Sequence, residues 1–149
     1  MRIMVINGPN LNLLGTREPE LYGTTTLSEL EKTLAGFAAE SLPEVELYFF
    51  QTNHEGQIID FIQKAQRSYD GIVYNPAAHA AYSLALRDAV AAVPIPVVEV
   101  HLTDITRREE YRRHSLIAEA CIAQFMGEGV SSYMKALNFL VEHIKKNTT

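Results

Sequence analysis

Cysteine is nearly absent from this sequence, and no apolar run approaches the length needed to span a membrane. The single Cys121 has no partner for an internal disulfide, and its place inside an apolar segment argues for burial over a nucleophile's role. Positive charge is in deficit as well. Against 18 Asp and Glu stand 13 Lys and Arg, a formal net charge of −5, which speaks against broad attraction to nucleic acid or anionic lipid. The opening Met1-Arg2-Ile3-Met4-Val5-Ile6-Asn7 is too short for a signal peptide, so a cytoplasmic protein is expected. His54, His79, His101, His114 and His143 form neither an HExxH motif nor another close ligand pair, and no GxSxG turn occurs. Neither a metal site nor a serine-hydrolase triad is expected.

Hydrophobic residues make up 47% and charged residues 21% of the 149, close to the globular average, so disordered and fibrous readings fail. No repeat, linker or low-complexity stretch interrupts the chain, and a single domain over residues 1–149 is expected. A chain of this size buries roughly 68–70% of the surface its unfolded form exposes, enough for one hydrophobic core.

Five short runs rich in Val, Ile, Tyr and Phe read as strands: Ile3 to Asn7, Val45 to Thr52, Gly71 to Asn75, Val97 to His101 and Cys121 to Met126. Helical patterns alternate with them. Thr26 and Glu29 form a capping box opening a helix to about Ser41, where Leu42-Pro43 ends it. Further apolar stripes follow at Ile58, Ile59, Ile62 and Ala65; at Leu84, Ala85, Ala89 and Val90; and at Tyr133, Leu137, Leu140, Val141 and Ile144. A short helix from near Thr106, with Glu109 completing a second capping box, is expected to carry Arg107, Arg108, Arg112 and Arg113. This alternation predicts a three-layer, doubly wound parallel sheet, with the flavodoxin-like strand order 2-1-3-4-5. Ligands in such sheets bind beyond the carboxyl ends of the strands, where the winding reverses.

Residues capable of chemistry collect at that edge. The connection from Gly8 through Gly23 is far longer than the usual two to six residues of an α/β unit and carries Asn10, Arg17 and Tyr22. Strand three ends on Asn75-Pro76, and strand four delivers Glu99-Val100-His101-Leu102-Thr103. A phenol is a poor base near neutrality, but a nearby cation favours its anion, and Arg17 is five residues from Tyr22. An arginine suits that task because it cannot itself lose a proton. On these residues alone Tyr22 is either a base or an aromatic anchor of its loop, and Arg17 either its activator or a surface charge. His101 can donate a proton near neutral pH, or it is a satisfied edge group of its strand. Asn75, Thr103 and the backbone N–H groups after His101 could hold a carboxylate without adding charge. The four clustered arginines fit either a small-anion pocket or a solvated face paired with Glu109 and Glu110.

Taken together, Asn7-Gly8-Pro9-Asn10-Leu11-Asn12, Arg17-Glu18-Pro19 with Tyr22-Gly23, Ala85-Leu86-Arg87-Asp88-Ala89, Glu99-Val100-His101 and Arg108-Glu109-Glu110-Tyr111-Arg112-Arg113-His114-Ser115 resemble the type II 3-dehydroquinate dehydratases over nearly the whole chain. The resemblance implies an enolate-forming elimination of water from 3-dehydroquinate, in the shikimate pathway or in quinate breakdown, without a cofactor. It implies Tyr22 as the base at C2, Arg17 and Arg108 as the cations beside it, His101 as the acid on the C1 hydroxyl, and Asn10 as the holder of a water at the enolate oxygen. Asn75, Leu102 and Thr103 would hold the substrate carboxylate, Arg112 a ring hydroxyl, and Asp88 would reach the site of a neighbouring subunit in a dodecamer of four trimers.

The sequence departs from that family in two places. Ala81 stands where the family usually carries a substrate-binding histidine, and His79, two residues earlier, points elsewhere on a helix. The segment Ala118 to Met126 lacks the usual Ser-Pro and glycine-rich run, which implies altered packing or subunit contact. A diverged homologue that handles another cyclic hydroxy-acid is the alternative. A receiver module on the same fold needs acidic residues where Asn7 and Asn75 stand. An imine mechanism needs a lysine at the strand ends, whereas Lys32, Lys64, Lys135, Lys145 and Lys146 fall in predicted helices.

Overall fold

Every strand among the described residues, 1–148, enters one parallel sheet in the order β2-β1-β3-β4-β5 in the computed structural model. The strands are β1 (Arg2–Asn7), β2 (Glu46–Gln51), β3 (Gly71–Asn75), β4 (Val97–His101) and β5 (Ala123–Met126). The helices are α1 (Pro19–Tyr22), α2 (Leu27–Ser41), α3 (Glu55–Ala65), α4 (Leu84–Ala92) and α5 (Val130–Asn147). Alternate strand residues face opposite layers, as the two-residue period of a strand requires. Ile3, Val5, Val73, Val98 and Val100 pack with Leu30 and Leu34 of α2 and with Leu137 and Leu140 of α5. Met4, Ile6, Ile72, Tyr74 and Val97 pack with Ile58 and Ile62 of α3 and with Leu86 and Val90 of α4. The result is the three-layer, flavodoxin-like arrangement that the alternating pattern predicts. Leu34 and Leu137 are completely buried, and truncating either to alanine should cost about 2–5 kcal/mol through lost contact and cavity.

The capping box of α2 is present: Glu29 N–H donates to Thr26 Oγ1, and Thr26 N–H donates to Glu29 Oε2, both at 3.1 Å. Other expectations need correction. No continuous helix carries the arginine cluster. Two 3-10 turns, Ile105–Arg107 and Glu110–Arg112, flank an extended Arg108, and the cap is the Asp104 carboxylate, which accepts from Thr106 N–H at 3.0 Å. A short acidic side chain before the turn outcompetes a threonine within it for the free amide. Strand β5 begins only at Ala123, because Ala118–Ala120 forms a 3-10 turn first. In α4 the buried stripe is Leu86, Ala89 and Val90, while Leu84 and Ala85 lie in the exposed first turn after the Ser83 cap.

β1 and β3 come together tightly at their carboxyl ends. Asn7 registers with Asn75, and Gly8 N–H donates to Asn75 C=O at 2.9 Å. A Cβ at Gly8 would sit 2.8 Å from the Pro76 carbonyl oxygen, so only glycine permits this approach. That closeness brings the loops after β1 and β3 onto one cleft.

Candidate active site

A cleft of about 610 Å³ opens beyond the ends of β1, β3 and β4. Asn10, Arg17 and Tyr22 line it from the first loop, Asn75 from the end of β3, and His101, Leu102 and Thr103 from the end of β4. Arg108 and Arg112 close it from the turns that follow. Nine of the ten residues proposed from sequence therefore converge. Asp88 does not: its side chain is 75% exposed on α4, beside Arg87 at 3.5 Å.

Tyr22 reaches the cleft because Pro19 starts the single turn of α1, with Glu18 held at a left-handed φ of 39° before it. Arg108 Nη1 donates to the Tyr22 hydroxyl at 3.0 Å and lies 3.4 Å from Thr103 Oγ1. The guanidinium carbons of Arg17 and Arg108 sit 4.9 and 5.5 Å from the Tyr22 ring centroid. Two guanidinium groups thus face one phenol. The arginine cluster resolves into separate duties. Arg107 is exposed beside Asp104, and Arg113 Nε donates to the Arg108 carbonyl at 2.8 Å and braces it. Glu109 lies 3.5 Å from Arg108 and 3.2 Å from Arg112. Its own backbone N–H and then these two arginines hold its carboxyl below the usual range. Arg112 Nε is buried without an aligned hydrogen bond despite that ion pair.

His101 is buried, and its Nε2 pairs with Glu99 Oε1. The partner was within reach of sequence reasoning, since residues two apart on a strand share a face. Glu99 is completely buried and has two further donors. Ser115 Oγ donates to Oε2 at 2.9 Å, and Gln124 Nε2 donates to Oε1 at 3.3 Å. Ser115 Oγ also accepts from Ala118 N–H at 3.1 Å, which leaves its own proton for Glu99. These contacts are tertiary, and no local pattern announces them.

Asn10 adopts a left-handed φ of 68° at the rim, with its N–H donating to Asn53 Oδ1 at 2.9 Å. Ala77, Ala78, Ala80 and Ala81 form one apolar wall of the cleft. His79 is turned away from it, buried edge-to-face against Tyr82 with ring centroids 5.8 Å apart, so it does not stand in for a cleft histidine. The lysines at 32, 64, 135, 145 and 146 all lie in α2, α3 and α5, and none lines the cleft. Among the described residues, no three His, Cys, Asp or Glu side chains are grouped to hold a metal ion, and no helix is long and apolar enough to cross a membrane.

Known proteins resemble this chain from end to end. Residues 1–141 match the family described as dehydroquinase class II. A 3-dehydroquinate dehydratase from Carboxydothermus hydrogenoformans is 52% identical over 146 residues, covering 98% of this chain and 94% of that one. The crystal structure of a type II dehydroquinase from Butyrivibrio crossotus superposes with a TM-score of 0.90 at 42% identity, over 94% of this chain and 97% of that one. A type II dehydroquinase from Propionibacterium acnes gives a TM-score of 0.88 at 37% identity, over 93% and 94%.

Proposed function

The chain belongs to the class II dehydroquinase family, and on that premise we propose how its cleft removes water from 3-dehydroquinate. The activity is that of a hydro-lyase giving 3-dehydroshikimate. The contact from Arg108 to the Tyr22 hydroxyl at 3.0 Å, with Arg17 on the same ring, carries the assignment of the base. Tyr22 takes the C2 proton as phenolate, its charge met by the two guanidinium groups. The electrons move into the ketone to form an enolate, whose oxygen is met by a water that Asn10 positions. His101, oriented by Glu99, then gives its proton to the C1 hydroxyl as the C1–O bond breaks, and the enolate collapses to the conjugated enone. Asn75 and the backbone N–H groups of Leu102 and Thr103 hold the carboxylate, and Arg112 a ring hydroxyl. Every proton is moved by the chain's own residues, and no cofactor is needed.

The remaining elements of the proposal are a single cytoplasmic domain over residues 1–149 and a dodecamer of four trimers in which Asp88 completes a neighbour's site. The exposure of Asp88 outside its own cleft supports that last part. Adding 3-dehydroquinate to the purified protein should produce the absorbance of the conjugated enone. A flat trace would overturn the dehydratase assignment and favour a diverged homologue acting on another cyclic hydroxy-acid. Light scattering should give the mass of twelve chains, and a monomer mass would remove the neighbour's contribution.

A further inference from the structure

Tyr133, on α5, is completely buried, yet its hydroxyl lies where the two strand ends that build the cleft meet. Asn7 and Asn75 are register partners at the ends of β1 and β3. The Tyr133 hydroxyl lies 2.6 Å from Asn7 Oδ1 and 2.8 Å from Asn75 Nδ2. The proton directions in this chain follow from one backbone amide. Ala77 N–H donates to the Asn75 side chain at 3.0 Å, so the atom there must be the carbonyl oxygen Oδ1 and the amino group must face Tyr133. The Tyr133 oxygen therefore accepts from Asn75 and spends its own proton on Asn7 Oδ1. Burial raises the pKa of this phenol above its ordinary value, which keeps the proton the relay needs.

In this arrangement Asn7 Nδ2 is buried without a partner. What it secures is Asn75: both ends of the carboxamide are pinned, and one amino N–H remains at the cleft wall that Asn75 lines. Tyr74, one residue before Asn75, cannot share the task, since its hydroxyl is buried without a partner.

We propose that Tyr133 is a positioning residue for substrate binding, fixing the Asn75 carboxamide so that its free N–H meets the substrate carboxylate. The proposal rests on the reading of Asn75 as a carboxylate contact. Tyr133→Phe keeps the ring and removes only the relay oxygen. It should raise KM for 3-dehydroquinate about fivefold to tenfold, the worth of one pre-aimed hydrogen bond, with kcat within about twofold of wild type. Asn75→Ala should raise KM at least as much, and adding Tyr133→Phe to it should change KM no further, because the two act as one unit. A KM unchanged in Tyr133→Phe but raised in Asn75→Ala overturns the positioning role alone. An unchanged KM in Asn75→Ala overturns the carboxylate contact and the positioning role together. A full additional effect of Tyr133→Phe in the Asn75→Ala background shows general damage to the fold and also overturns it. Should the tyrosine variant fail to fold, side-chain amide NMR of the wild type decides: the Asn75 amino proton donated to Tyr133 should be protected from solvent exchange, and its free exchange overturns the proposal.

Discussion

Gln124 stands directly opposite Glu99 across the β4–β5 ladder and donates, at 3.3 Å, to the same carboxylate oxygen that pairs with His101. With Ser115 on the other oxygen, three donors converge on one completely buried acceptor. A carboxylate so placed holds the imidazole by Nε2 and fixes the orientation of its ring. The segment Ala118 to Met126 thus includes a residue, Gln124, that reaches the carboxylate supporting His101.

Glu99→Gln should lower kcat about 10–100-fold, since a misoriented acid loses much of the gain a positioned one provides, while KM stays within about threefold. Steady-state kinetics checks this, and an unchanged kcat would remove Glu99 from the mechanism. Gln124→Leu should be milder, costing about 0.5–1.5 kcal/mol in denaturant unfolding.

Proton abstraction and elimination should separate by mutation. Tyr22→Phe is expected to abolish exchange of the C2 hydrogen with solvent deuterium, followed by NMR of the substrate. His101→Ala should slow release of water yet leave some exchange. Equal exchange in wild type and Tyr22→Phe would show that another group is the base.

Burial pushes the His79 imidazole below its ordinary value of 6.5, with Glu55 opposing the shift. The unfolded chain therefore takes up this proton at a higher pH than the folded chain does. Stability from this source is complete above about 6.5 and declines as the pH falls from there toward the lowered folded value. Urea midpoints measured from about pH 7.5 to 5 should fall on the acid side, and His79→Phe should flatten that fall. An identical slope in the variant would place the titration elsewhere.

Ala81 forms part of the alanine wall of the cleft, with no polar group to offer a substrate. Ala81→His introduces a donor there and should lower KM by about twofold to tenfold, the range of one added hydrogen bond. A raised KM would mean that the wall is shaped around the substrate as it stands.

The layers of this fold were legible because they depend on local chemistry. Strand composition, the Thr26 and Glu29 capping box and the spacing of Leu137, Leu140 and Val141 act over a few residues, and parallel connection with right-handed crossovers then leaves few topologies. β3 and β4 begin and end where the sequence predicts them. The turns around Arg108 depart from the sequence expectation because Asp104 and Thr106 offer competing caps, and the Asp104 carboxylate takes the free amide.

From the sequence by itself came the strand order, the edge of the sheet where chemistry happens, and the set Asn10, Arg17, Tyr22, Asn75, His101, Thr103, Arg108 and Arg112, with resemblance supplying their roles. Only the tertiary structure decided what holds them: Ser115 and Gln124 on Glu99, Tyr133 between Asn7 and Asn75, and the division of four arginines among the cleft, the solvent and a backbone carbonyl. Periodicity specifies which face of an element is buried, since that depends on neighbours along the chain. A hydrogen bond between residues 58 or 126 positions apart depends on how two layers settle against each other, and no short-range pattern encodes that distance.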